Sequence, residues 1–217
     1  MAHLHIETPL FESRPLTLRT GKEIWLKFES MQPTGSFKIR GIGLACQDFV
    51  RRGAKRFVSS SGGNAGIAVA YAGRRLSVPV VVVVPETTTN RAKAFIQNEG
   101  AELIVHGTSW HEANTLALSI TSIATSLGAR QVCNQAYMWS KTYPIKNVVV
   151  SDKSAIAACE RFIEDHQVVV EPACGASLAA VYDNVPELSS FSSVLVIVCG
   201  GVTSTIAQLQ RWSKNFV

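Results

Sequence analysis

The stretch Arg56-Phe-Val-Ser-Ser-Ser-Gly-Gly-Asn-Ala-Gly-Ile-Ala-Val-Ala-Tyr-Ala-Gly-Arg-Arg-Leu-Ser-Val-Pro-Val-Val-Val-Val-Val84 decides the fold. Arg56 to Ser59 has the short β-rich pattern of a strand. Asn64 to Arg75 is a helix rich in alanine and glycine. Val78 to Val84 is apolar at nearly every position, as in a parallel strand covered on both faces. A strand, a helix and a second strand at this spacing make a βαβ unit, which demands a parallel sheet. In open α/β sheets ligands bind at the carboxyl ends of the strands. The loop Ser59–Asn64 stands at such an end.

The same rhythm extends in both directions. Upstream, Ile24 to Phe28 reads as a strand, and Ser36 to Arg52 as a helix with Ile39, Ile42, Cys46 and Phe49 at steps of three and four. Downstream, Thr89 to Asn98 is helical and stops at Gly100. Ala101 to Val105 is a strand, and Ser109 to Leu118 a helix. From Ser119 to Pro144 the pattern lapses into helical or loop-like sequence where a strand is due. It resumes with strands at Asn147–Val150, Val168–Val170 and Val194–Val198, and helices at Asp152–Asp165, Ala176–Val185 and Thr205–Lys214. The expected class is α/β: an open, mainly parallel sheet flanked by helices.

Composition narrows the function classes. The 217 residues are 47% hydrophobic and 17% charged, which suits one compact unit or two small lobes rather than disorder. No apolar run approaches the roughly 20 residues of a membrane-spanning helix. The first residues lack the basic end and apolar stretch of a signal peptide, so the expected compartment is the cytosol. Five cysteines, widely spaced and without a Cys-x-x-Cys pair, read as reduced thiols rather than a disulfide frame or zinc site. The formal charge is +5. Its basic residues fall in short pairs such as Arg51-Arg52 and Arg74-Arg75, with no basic tract interleaved with aromatics. Nucleic acid is therefore not expected as a partner, and anionic small molecules are.

Three local features carry chemistry. Lys38 follows Ser36, a candidate N-cap, and so falls in a first helical turn, where the dipole disfavours an added positive charge. Phe37 beside it adds desolvation, and both effects favour the neutral amine that a Schiff-base lysine needs. Ser61, Gly62, Gly63 and Asn64 form a glycine loop ahead of a helix start, suited to a carboxylate or phosphate. Its spacing matches neither the Rossmann nor the P-loop pattern. Cys199 ends a buried strand before Gly200 and Gly201, where a neutral thiol could face a ring nitrogen. Each feature has a bland alternative: a surface lysine, a tight turn, a small residue closing a strand. His111-Glu112 is not a zinc motif, because position 115 is threonine. There is no Gly-x-Ser-x-Gly elbow. Glu171-Pro172 reads mainly as a strand end, and His106 and His166 as structural.

In order, Gln32-Pro-Thr-Gly-Ser-Phe-Lys-Ile-Arg-Gly41, Ser60-Ser-Gly-Gly-Asn-Ala-Gly66, Glu171-Pro-Ala-Cys-Gly-Ala176 and Val196-Ile-Val-Cys-Gly-Gly201 resemble the animal-type serine/threonine dehydratases. These are pyridoxal-phosphate enzymes of the tryptophan-synthase-β-like fold (fold type II). The likeness runs from about Thr8 to Arg211. It implies that Lys38 holds the cofactor and moves the α-proton, and that Phe37 packs against the cofactor ring. It implies that Ser61, Gly62, Gly63 and Asn64 bind the substrate carboxylate, with Asn64 also near the ring oxygen. Cys199, followed by Gly200, would meet the pyridine nitrogen. The substrates implied are serine and threonine, and the assembly a homodimer, with no metal among these residues.

The resemblance breaks at one place. Intact relatives carry a glycine run that cups the cofactor phosphate, and an acidic residue soon after it that helps form a monovalent-cation site. Here the Gly-Gly pairs are Gly62-Gly63 and Gly200-Gly201, both assigned already. The matching text runs to Leu118 and resumes at Ile120, so roughly a hundred residues, near one domain's worth, are absent at that join. The expected organisation is a single incomplete domain over 1–217. Residues 36–118 would retain much of a small lobe, and the rest a shortened large lobe. A competing expectation is an inactive shortened form that binds its full-length sibling.

Overall fold

The computed structural model describes residues 2–119, 134–146 and 148–214. The chain opens with strand β1 (Leu10–Glu12), helix α1 (Arg14–Thr20), strand β2 (Glu23–Lys27) and a 3-10 turn at Glu29–Met31. Helix α2 (Lys38–Arg51), β3 (Phe57–Ser59), α3 (Asn64–Leu76), β4 (Val80–Val84), α4 (Asn90–Asn98), β5 (Glu102–Val105) and α5 (Trp110–Ser119) follow. The remainder holds α6 (Asn134–Thr142), α7 (Asp152–His166), α8 (Pro172–Tyr182), a 3-10 turn at Pro186–Leu188, β6 (Ser193–Ile197) and α9 (Ile206–Lys214). These elements form two units, one of Met1–Ile6 with Lys38–Pro144, the other of Glu7–Phe37 with Ile145–Val217.

In the first unit β3, β4 and β5 form a parallel sheet in that order, with Phe57 opposite Val80 and Val84 opposite Val105. All five valines of β4 are buried. Alternation along the strand explains why: Val81 and Val83 join Val58, Ala113 and Ala117 under α5, while Val82 reaches Gly66 on α3. Small residues let α3 lie close to the strand. A side chain at Gly73 would strike the Val78 carbonyl and Val80. Helix α4 starts where the Thr89 hydroxyl accepts the Ala92 N–H at 3.3 Å. Helix α5 starts with a reciprocal cap: Glu112 Oε2 accepts the Ser109 N–H at 3.1 Å, and Ser109 Oγ accepts the Glu112 N–H at 3.4 Å. Those bonds, with another from the Thr108 N–H, hold the exposed Glu112 carboxyl below its ordinary range. The His111-Glu112 pair is thus a helix start, in line with its rejection as a zinc motif.

In the second unit the sheet order is β1-β2-β6, with β1 antiparallel to β2 and β2 parallel to β6. One face is core: Ile24, Leu26 and Val196 are buried with Phe162, Cys174, Leu178 and Leu209 of α7, α8 and α9. The opposite face is apolar but open. Register puts Trp25 beside Leu195 and Lys27 between Leu10 and Ile197. Leu10, Trp25, Leu195 and Ile197 are 53%, 38%, 58% and 42% exposed.

Three expected elements differ. Val148–Val150 and Val168–Val170 are not strands. Val170 is buried, but these residues join no ladder among the described ones, so β propensity alone did not make them pair. Helix α8 begins at Pro172 rather than Ala176, because proline is at home in a first turn. Strand β1 and helix α1 were not foreseen: β1 is three exposed residues. The signal for α1, the Ser13 cap ahead of Pro15, was legible. Of the lapse expected from Ser119 to Pro144, residues 120–133 lie outside the described ones; the described remainder holds helix α6 and no strand, as expected.

His166, at the end of α7, stacks on Phe162 with ring centroids 4.3 Å apart, and its Nε2 is 2.8 Å from the Ser13 hydroxyl. Burial, outweighing the Asp165 charge, pulls its imidazole below the ordinary value. The folded chain therefore binds this proton less readily than the unfolded one. That contribution is at its maximum above the unfolded value of about 6.5, and it is lost as pH falls below it. The thermal midpoint is expected to drop between about pH 7 and pH 5, and less steeply in His166→Phe, which keeps the stack but does not titrate. Equal slopes in the two chains would remove His166 from the account.

Candidate active site

The chain leading up to Lys38 lies in the second unit. Glu29, only 4% exposed, accepts from the Thr8 hydroxyl at 2.7 Å and the Gln32 amide at 3.2 Å. The Gln32 carbonyl then accepts the Gly35 N–H at 2.7 Å. Gly35 takes φ +68°, and a side chain there would run into Val202. Ser36 bridges to Gly200, and the Phe37 N–H donates to the Cys199 carbonyl at 3.1 Å. Phe37, Cys199 and Gly200 are therefore brought together. The chain passes from the second unit to the first between Phe37 and Lys38.

Here the expected cap fails. Helix α2 starts at Lys38, and Ser36, two residues earlier, spends its backbone on the bridge to Gly200. Its hydroxyl is buried with no hydrogen-bond partner among the described residues. The desolvation expected from Phe37 is not seen either: Phe37 is 45% exposed, and Lys38 is exposed.

On the far side of Gly200, the Glu171 N–H donates to its carbonyl at 3.1 Å, and Glu171 Oε2 accepts from the Thr203 hydroxyl at 2.9 Å. A side chain at Gly201 would strike the Val169 carbonyl. Cys174, on α8, is the neighbour that bears most on the Cys199 thiol: it pulls Cys199 below its ordinary value, and the fully buried Cys174 is pushed up.

The first unit holds the glycine loop. The Ser59 hydroxyl accepts the Ser61 N–H at 3.3 Å, and the Ser61 hydroxyl accepts the Gly63 N–H at 3.4 Å. The Ser60 hydroxyl donates to Asn114 Oδ1 at 2.7 Å, tying the loop to α5. Gly62 lies against Thr88, whose hydroxyl and methyl occupy the space of any side chain. Gly63 is the N-cap of α3 and supplies no side-chain cap, so the leading N–H groups of that helix are not taken by its own cap residue. Ser61, Gly62, Gly63 and Asn64 are half-buried. Anchoring by Thr88 and Asn114 had no local signal, because each lies far from the loop in sequence. Cys174 did have one, inside Glu171–Ala176, but its influence on Cys199 arises only in three dimensions.

Lys38 starts α2 and the Ser61–Asn64 loop precedes α3 in the first unit, and Cys199 follows β6 in the second. The family described as "Pyridoxal-phosphate dependent enzyme" matches residues 1–122 and 116–200, most of the chain. This chain belongs to that family. The relatives it resembles include the L-serine dehydratase/L-threonine deaminase of Homo sapiens. That protein is 32% identical, over 98% of this chain and 95% of the relative. L-serine dehydratase of Dictyostelium discoideum is 30% identical over 95% of this chain and 91% of that protein. Among solved structures, the L-serine ammonia-lyase of Rhizomucor miehei superposes with a TM-score of 0.84 at 26% identity, covering 99% of each chain. The human alignment spans 313 positions against the 217 residues here, so relatives hold a long segment without counterpart. The two matched stretches overlap at 116–122, where the sequence likeness breaks between Leu118 and Ile120. Among the described residues no helix is long and apolar enough to cross a membrane, and no cluster of three metal-ligating side chains occurs.

Proposed function

We propose that this chain is a pyridoxal-phosphate-dependent ammonia-lyase that converts L-serine to pyruvate and ammonia, and L-threonine to 2-oxobutanoate and ammonia. The observation that carries this reading is the 32% identity to the human dehydratase over 98% of the chain. When bound, the cofactor supplies an electron sink for the pair left as the substrate α-proton departs. Lys38 Nζ would hold the cofactor and take the α-proton; among the ion pairs of the described residues none involves Lys38. Ser61, Gly62, Gly63 and Asn64 would hold the substrate carboxylate, with Asn64 also near the ring oxygen, and Phe37 would pack against the ring. Cys199, beside Gly200, would face the ring nitrogen as a thiol and leave it largely unprotonated, which would favour loss of the β-hydroxyl over transamination.

The donor set fits the ring and carboxylate ends of the ligand. The phosphate end has no glycine run in this chain, since Gly62-Gly63 and Gly200-Gly201 serve elsewhere. The monovalent-cation site belongs to the same absent segment of intact relatives. A soluble cytoplasmic homodimer completes the proposal, with 36–118 as the small lobe and the rest as the shortened large lobe.

A second reading has its own observation, the open apolar face of Leu10, Trp25, Leu195 and Ile197. A patch of this kind is a usual mark of association, and it favours a non-catalytic form that binds an intact sibling. One experiment separates the two: titration of the purified chain with pyridoxal phosphate, followed by visible absorbance and by ammonia release from serine. Protein-bound colour with ammonia release is expected. A colourless, inactive chain that co-purifies with an intact dehydratase would establish the second reading instead.

A further inference from the structure

We propose that Asn114 is a positioning residue that sets substrate affinity through Ser60, a role that rests on the reading of Ser61–Asn64 as the carboxylate loop. The observation is one bond between residues 54 positions apart, in which the Ser60 hydroxyl donates to Asn114 Oδ1 at 2.7 Å. Ser60 immediately precedes the carboxylate residues. Both partners are half-buried, where water competes less for the bond.

The place of Asn114 is fixed without help from the loop. Helix α5 starts at the reciprocal cap of Ser109 and Glu112. One turn after Ser109, Ala113 is fully buried in a cluster with Val58, Val81 and Val83, and Ala117 joins it a turn later. Val58 lies on β3, which ends at Ser59. The same packing therefore brings this part of α5 to the start of the loop, and Asn114 is the next residue around the helix.

The other contacts of the loop cannot do the same work. The bonds from the Ser61 N–H to the Ser59 hydroxyl and from the Gly63 N–H to the Ser61 hydroxyl are long, at 3.3 and 3.4 Å, and internal to the segment. They shape the loop but anchor it to nothing else. Thr88 against Gly62 and the Ser61 carbonyl against Gly66 are steric contacts. These limit how closely the loop approaches and do not keep it from moving away. The Ser60–Asn114 bond pulls, and it is the shortest of the three hydroxyl bonds. An asparagine also makes this tie without charge, whereas an aspartate would set a negative charge beside a site for carboxylates.

The first test is amide hydrogen exchange on the full chain without cofactor. In Asn114→Ala, which keeps a good helix former in α5, the Ser61 and Gly63 amides should exchange roughly two- to tenfold faster, the factor of one hydrogen bond. The amides of β4 and α5 should keep the parent's rates, which a general loss of stability would not allow. Ser60→Ala should give the same change, and the double variant no more than either alone. Asn114→Asp, which keeps the acceptor, should return both loop amides to the parent's rates. With cofactor and serine, Asn114→Ala should raise KM by a similar factor and leave kcat within about twofold, as for a contact of equal strength in ground and transition states. Loop amides that exchange at the parent's rates in Asn114→Ala, additive effects of the two alanine variants, or a fall in kcat with KM unchanged overturn the proposal. Should Asn114→Ala not fold, Ser60→Ala decides by the same readings. A parent that releases no ammonia would overturn the ammonia-lyase reading instead, and the exchange rates would still decide whether Asn114 holds the loop.

Discussion

Gly66→Ala is expected to lose about 2 kcal/mol or more of stability and to displace the Ser61–Asn64 loop. Alanine is better than glycine in a helix by about 1 kcal/mol, which works for the substitution. Against it, the new carbon would occupy the place of the Ser61 carbonyl and crowd Val82. A backbone carbonyl cannot swing aside as a flexible side chain does, and overpacking costs up to about 3 kcal/mol at such sites. The loop must shift, and the carboxylate donors with it. Gly63→Ala is the control: no heavy atom lies within 4 Å of its added carbon, and φ is −116°. It should stay within about 0.5 kcal/mol of the parent. Urea midpoints of the three chains measure this, and a Gly66→Ala midpoint equal to that of Gly63→Ala would show that the helix does not approach the loop so closely.

Lys38→Ala should reduce ammonia release from serine by about 10³-fold or more, the scale of a lost acid–base group compounded by a lost covalent anchor. Lys38→Arg should be as inactive, because a guanidinium stays protonated and cannot serve as the amine. Neither change should move the thermal midpoint much, since Lys38 is exposed at the first residue of α2. Borohydride reduction with added pyridoxal phosphate gives a second readout: the cofactor mass should lodge on the Lys38 peptide of the parent and on no peptide of Lys38→Ala at the same site. Full activity in Lys38→Ala would reject the assignment.

Much of the fold was legible because its signals are local. The valines of β4, the alanine-rich α3 and the Thr89 start of α4 lie within two residues of their expected places, each set by periodicity or a cap. Val148–Val150 and Val168–Val170 were misread because strand formation needs a partner, and composition cannot supply one. Ser36 was misread for a similar reason. Its serine is a good cap in isolation, but the bridge to Gly200 claims its backbone and moves the helix start to Lys38.

By itself the sequence determined the α/β class, the family motifs around Lys38, Asn64 and Cys199, and the join near Leu118 where relatives carry more chain. These are read from neighbours along the chain, where propensity, capping and motif order act. Only the tertiary structure decided that Asn114 and Thr88 brace the glycine loop, that Glu171 ties the start of α8 to Gly200, and that Leu10, Trp25, Leu195 and Ile197 share one open face. Those relations join residues far apart in the chain, and their energies arise only once packing has brought the side chains within reach.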